Sequence, residues 1–341
     1  MHMADALISP AVGGTMWAAT AGLIAYSSKK VKEDLDDRKV PLMGVLGAFI
    51  FAAQMINFTI PGTGSSGHLG GGMILSILLG PSAAFLTIAS VLFVQALFFA
   101  DGGLLALGCN IFNLGFFPVF IAYPLIYKKI AGTSPTQRRL GLGATLSAIV
   151  ALQLGAFGVV LETFFSGISD LPFKTFLLLM QPIHLAIGFI EGLVTSAVVI
   201  FIWKARPEIL QLAASSRPMG SLSIKKVLVG LLAVTVITGA FISWFASARP
   251  DSLEWSIFHA SGKGEMEAPQ KGIYHSLARL QERTAVLPDY GFKPGRRVAK
   301  KGGSRPAVES GTTVSGLVGG ALTLVLALLI GIALKKRKRS T

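Results

Sequence analysis

The second residue of this chain is a histidine, and a histidine there can offer a metal ion three nitrogens from one short stretch. These are the terminal amine of Met1, the deprotonated backbone amide of His2 and the His2 imidazole Nδ1. The fused chelate rings are planar, and one further nitrogen closes a square, a geometry that favours Ni(II) or Cu(II) over the tetrahedral preference of Zn(II). His68 is the candidate for that nitrogen. It ends the stretch PGTGSSGH, in which Gly62 and Gly67 stand at the spacing of a phosphate-binding loop. Such a loop continues with Lys and then Ser or Thr, whereas here the chain supplies His68 and Leu69. Glycines in this loop let the backbone approach a neighbour closely. Met1 must persist for the amine to serve, and the large side chain of His2 disfavours its removal by aminopeptidase. The competing readings are structural: a solvated terminal histidine, and a polar residue satisfying a helix N-terminus at His68.

The elements that must position these residues are membrane helices. Hydrophobic residues make up 52% of the 341 and charged residues 14%, against about 25% charged in soluble domains, and the mean hydropathy is +0.64. A spanning helix needs about 20 mostly apolar residues, and such blocks recur near 4-28, 41-59, 68-80, 82-100, 104-127, 139-163, 173-203, 225-246 and 314-334. The expected fold is all-α, a polytopic membrane helix bundle. The net charge of +14 sits in the breaks between blocks, where it reads as an orientation signal and not as a nucleic-acid surface. Cys109 is the single cysteine, which excludes an internal disulfide and a thiolate metal cluster. The start MHMADALISP lacks a basic stretch before its apolar part, so no cleavable signal peptide is expected.

Basic residues in 29-40, 128-139 and 204-226, and the tail KKRKR, mark cytoplasmic segments. They fall on one side only if 68-80 counts as a crossing. The count is then nine spans, with the N-terminus outside and the C-terminus cytoplasmic, in a cell inner (plasma) membrane. Residues 1-210 form one unit of about seven helices. Residues 211-224 read as a linker, and 225-341 as two spans joined by an external segment, 247-313, expected to be ordered only in part.

Four stretches, MHMADALISP, GTGSSGHLGGGMILSILLGPSAA, VQALFFADGGLLALGCNIFNLGFF and QPIHLAIGFIEGLVTSAVV, resemble the substrate-capture (S) component of energy-coupling factor (ECF) transporters for nickel and cobalt. The likeness covers most of residues 1-204, with Gln95, Asp101, Gly102, Gly103, Gly108 and Asn110 in the family's order. It implies metal ligation by Met1, His2 and His68, with Ni²⁺ or Co²⁺ as the transported ligand and no cofactor. The implied partners are a transmembrane coupling (T) component, two ATPase subunits and membrane lipid. ARPDSLEWS at 248-256 and LPDY at 287-290 resemble the small two-span accessory component, here fused to the same chain. Two departures stand out: Ser252, where the accessory motif usually has glycine, and a start of MHMADAL where MHIPDGF is commoner.

Asp5, Gln95, Asp101, Asn110, Glu162 and Glu191 lie within or beside apolar blocks, where unpaired burial is costly; they read as structural partners or functional groups. Asp5 or Asn57 could orient a ligand or cap a helix. His184 reads as a buried hydrogen-bonding group, and His259 and His275 as solvated loop residues or metal carriers. Ala18, Gly22 and Ala25 suit close helix packing or a coupling partner. A self-sufficient secondary transporter for a divalent cation is the main alternative, although the carboxylates are scattered and form no relay. An intramembrane metalloenzyme ranks last, since the spans carry no HExxH motif.

Overall fold

A computed structural model describes residues 2–34, 38–215, 217–218, 222–263, 266–269, 271–292 and 310–339. After one 3₁₀ turn at Asp5–Leu7, the chain forms α1 (Pro10–Asp34), α2 (Lys39–Gln54), a two-residue ribbon of β1 (Phe58–Thr59) and β2 (Ser66–Gly67), α3 (Gly72–Leu79) and α4 (Pro81–Phe99). Then follow α5 (Leu107–Ala131), α6 (Gln137–Ser166), α7 (Phe173–Ala205), α8 (Pro207–Ala214) and α9 (Lys225–Ala240). The segment after α9 carries α10 (Ser252–Ser261) and α11 (Ile273–Thr284), and α12 (Ser310–Arg339) closes the described chain. Five of these helices, α4, α5, α6, α7 and α12, are long and apolar enough to cross a membrane. The outward faces of α6 and α7 expose Phe164, Phe165, Leu178, Leu185, Phe189 and Phe201, as helices facing lipid do. The protein is a polytopic helical bundle.

Small residues set how closely the helices approach. A Cβ on Gly188 or Gly192 of α7 would lie 2.8 Å from the Ile149 Cα or 2.6 Å from the Thr145 Cα of α6, so these two long helices meet backbone to backbone. The middle of α5, Phe112–Tyr127, is a π-helix containing Pro118 and Pro124. Proline removes an N–H from the ladder, and the wider turn is one of the adjustments that spanning helices use to accommodate it.

The segment 68-80, expected as a crossing, is helical only from Gly72 to Leu79. Eight residues rise about 12 Å, short of the roughly 30 Å hydrocarbon core. The stretch nevertheless runs from Gly70 and Gly71, bonded to Glu191 in mid α7, to Gly80 beside Ala213 of α8. It therefore follows the lower half of the bundle only, and the chain between α2 and α3 dips inward to meet it.

The described residues of 247-313 form a folded cover. An Asp251–Glu254 capping box starts α10, with Glu254 N–H donating to Asp251 Oδ1 at 2.8 Å and Asp251 N–H to Glu254 Oε2 at 3.1 Å. The expected partial order falls partly on residues 293–309, which lie outside the described residues.

The two accessory helices meet at glycine. A Cβ on Gly316 of α12 would fall 2.5 Å from the Gly239 carbonyl oxygen of α9. Replacing Gly316 by Leu should force α9 and α12 apart and destabilise the protein by about 1–3 kcal/mol, read as a lower thermal midpoint in detergent.

Candidate metal centre

The centre is built around the buried stretch that follows His2. Met3, Leu7 and Ile8 are fully buried, so the main chain beside them needs protein partners. Asn110, near the start of α5, supplies two: the Met3 N–H donates to its Oδ1 at 2.8 Å, and its Nδ2 donates to the Met3 carbonyl at 3.2 Å. Gly103 N–H donates to the same carbonyl at 2.9 Å. Ala106 N–H donates to Asp5 Oδ1 at 2.9 Å. The loop after α4 thus pairs with the N-terminal strand, and it fits only because position 103 is glycine: a Cβ there would lie 1.9 Å from Asp5 Oδ1.

That pairing fixes His2. Its Nδ1 lies 2.9 Å from Asp101 Oδ1, and Ala100, in the left-handed region at φ 55°, turns the chain out of α4 to bring Asp101 there. The second Asp101 oxygen accepts a hydrogen bond from the Tyr290 hydroxyl. Burial alone would raise the Asp101 carboxyl, but the charge and hydrogen bond of His2, with the Tyr290 bond, hold it well below the usual carboxylate range. Burial and the Asp101 charge keep the Tyr290 hydroxyl protonated, so it is the donor. His2 Nε2 is buried with no hydrogen-bond partner among the described residues.

His68 reaches the same place from the other loop. Its ring stacks on that of His2, with centroids 5.0 Å apart and planes 17° from parallel. His68 Nδ1 lies 3.0 Å from the Leu69 carbonyl, an acceptor, so Nδ1 carries the proton in that contact and Nε2 has its lone pair. Behind it, Glu191 of α7 accepts from the N–H groups of Gly70 and Gly71 at 2.7 and 3.0 Å, and Gln54 Nε2 donates to the Gly70 carbonyl at 2.8 Å. Gly71 sits at φ +78°, where a Cβ would also strike Ile50 at 2.7 Å.

The segment between α9 and α12 grips both loops. Ser66 N–H donates to the Pro250 carbonyl at 2.8 Å, and Ser247 N–H to the Asn57 carbonyl at 2.7 Å. Gln281 Nε2 donates to the carbonyls of Ala96 and Gly102, each at 2.8 Å, and the Tyr274 hydroxyl donates to the Ile8 carbonyl at 2.9 Å. Ser252 has a partner of its own. The His184 Nδ1–H donates to the Met180 carbonyl at 2.8 Å, leaving Nε2 to accept from the Ser252 hydroxyl at 3.3 Å.

Of the residues singled out from sequence, His2 and His68 come together; Met1 lies outside the described residues. The chelate expectation put Nδ1 of His2 on the metal, whereas here Nδ1 faces Asp101 and Nε2 is the unpartnered nitrogen. His184 is a buried hydrogen-bonding group, and His259 stacks on Trp255 away from the His2–His68 pair. Asp5 and Asn110 hold the N-terminal segment, while Asn57 meets the segment between α9 and α12 through its carbonyl. Glu162 accepts from Asn113 at 2.7 Å within the bundle. Tyr290, Tyr274 and Gln281 were not anticipated. No spacing rule joins them to residues 2–103, and the LPDY motif was the only pointer to that region.

Residues 2–209 match the family model described as the cobalt uptake substrate-specific transmembrane region (CbiM). The chain belongs to that family. Residues 225–336 match the PDGLE domain, so the chain is a nickel/cobalt S component fused to the small accessory component. It is 31% identical to a putative fused nickel transport protein of Archaeoglobus fulgidus, over the full length of both. It is 36% identical to a putative metal transport protein of Haloquadratum walsbyi, over 62% of this chain and 93% of that one. A crystal structure of a truncated transition metal transporter superposes with TM-score 0.54 at 29% identity, covering 60% of this chain and 99% of the other. With these relatives and its apolar helices, the protein is a multi-pass cell-membrane transport protein for nickel or cobalt.

Gly103→Ala should expel the N-terminal strand from its slot. The expected outcome is faster amide exchange at residues 3–8 and a loss of about 1–3 kcal/mol, as for other overpacked sites; unchanged exchange would show that the slot tolerates a methyl group.

Proposed function

We propose that this protein is the metal-capturing subunit of an ATP-driven ECF importer, taking Ni²⁺ or Co²⁺ at the outer face. The observation that carries this is the stacking of the His2 and His68 rings at 5.0 Å beside a buried chain end. The ligand set is the Met1 amine, the His2 amide and imidazole, and the His68 imidazole. For His2 to chelate through Nδ1 its ring must first release Asp101, which can then accept from the other ring nitrogen and orient the imidazole. A planar nitrogen site tilts selection towards nickel.

Nine passes, one of them made by the dipping loop before α3 together with the short helix α3 itself, an external N-terminus and a cytoplasmic tail complete the reading. Residues 1-210 capture the metal, 211-224 link, and 225-341 form the accessory unit whose segment 247-313 covers the centre. Release inward requires the T component and two ATPase subunits. The basic tail then lies against anionic lipid.

The direct test is nickel binding to the purified chain with its authentic terminus. His2→Ala, His68→Ala and a one-residue N-terminal extension should each abolish tight binding while the helices stay assembled by circular dichroism. Full affinity in the extended protein would remove the amine from the ligand set.

Metal binding displaces protons from the amine and the amide, so affinity must fall as pH falls. Asp101, held below the usual carboxylate range, stays ionised through neutral and mildly acidic pH and contributes nothing to that slope. Below the amine's own titration, affinity should drop at least about a hundredfold per pH unit, tenfold for each displaced main-chain proton, and more steeply where the His2 ring must also give one up. Calorimetry in buffers of different ionisation enthalpy counts those protons directly; a count of zero would exclude the main-chain nitrogens.

A further inference from the structure

Between the N-terminal strand and the external segment lies a cavity of about 410 Å³ with His2 in its wall. Its lining carries Asp5, Asp101, Asp251, Glu254 and Asp289 and neither lysine nor arginine. Five of the chain's 17 acidic residues therefore line one cavity of a protein whose net charge is +14. Carboxylates alone would mark a solvated surface. Here a second observation points to a ligand: His2 lines this cavity with a side chain only 7% exposed, and its Nε2 is buried with no hydrogen-bond partner among the described residues.

We infer that this cavity is an acidic vestibule through which a hydrated divalent transition-metal cation is drawn to His2. The inference rests on the capture reading above and adds its access route. A cation with six waters, at about 30 Å³ per water, fits within it. Low-dielectric walls of one charge sign focus the field and raise the local concentration of a counter-ion, speeding association by about 10–10³-fold. The N-terminal strand and the loop after α4 supply one wall, and α10 with the turn at Pro288–Tyr290 supplies the other. The accessory unit thereby contributes Asp251, Glu254 and Asp289, charges that the S-component unit lacks.

These three can be neutralised with little cost to the fold. Asn caps a helix as well as Asp, Gln replaces Glu in a capping box, and Asn tolerates the left-handed conformation that Asp289 adopts at φ 50°. The experiment is stopped-flow transfer of Ni²⁺ from a metal-indicator dye to the full chain, across a range of ionic strength. D251N/E254Q/D289N should load nickel about tenfold more slowly at low salt, with its salt dependence flattened. The single variant E254K, at an exposed position on α10, should slow loading further than E254Q. Asp170→Asn, in the α6–α7 loop outside the cavity lining, should leave the rate alone.

Wild-type loading rate and salt dependence in the triple variant would overturn the vestibule, as would equal slowing by Asp170→Asn. Loading by His2→Ala at the wild-type level would instead sink the capture site itself, so the two failures are distinguishable.

Discussion

A chain end that enters a protein interior must hand every main-chain donor and acceptor to a partner, because each one left unpaired costs about 1–3 kcal/mol. In residues 2–8 the N–H groups of Met3, Leu7 and Ile8 and the carbonyls of Met3, Ala4, Asp5 and Ile8 have such partners, and much of the centre follows from that. Asn110 takes both polar groups of Met3, Gly103 approaches where no side chain fits, and Tyr274 closes the last carbonyl at Ile8. With the strand held at that depth, His2 can only meet Asp101 and His68. The loop after α4 is shaped by the same demand, down to a non-glycine residue in a left-handed turn at Ala100.

The accessory segment is part of this fit and not an appendage. Tyr290 donates to Asp101, which in turn holds His2, so a residue from the far end of the chain is two hydrogen bonds from the candidate ligand. Ser252, where the accessory motif usually has glycine, uses its hydroxyl on His184 of α7. Pro250 and Asn57 supply carbonyls that tie the segment to the loop carrying His68. The contacts come from main chain as often as from side chains, which explains why the cover can hold two otherwise irregular loops in place.

The helical class, the apolar blocks and the pairing of His2 with His68 were legible in the sequence, since each rests on composition or on the chemistry of one residue at a special position. The depth of 68-80 was not. An apolar run of that length signals burial, and nothing in it distinguishes a crossing from a short helix reached by a dipping loop; Gly70, Gly71 and Glu191 decide that through tertiary bonds. The roles of Tyr290, Tyr274 and Gln281 were hidden for a related reason. They act across about 180 to 270 residues of separation, where local pattern carries no information. His2 itself shows the limit at the atomic scale: its position suggested Nδ1 as a ligand, and the carboxylate that engages Nδ1 comes from a distant loop.

His2 is synthesised long before the groups that complete its surroundings, which come from Asp251 to Tyr290. The centre is therefore assembled only when most of the 341 residues have been made. During synthesis the N-terminal strand must wait, with its slot between the loop after α4 and the cover half built. A nascent chain thus carries the histidines of the centre long before it carries the enclosure, and full metal-handling geometry becomes a property of the finished protein alone.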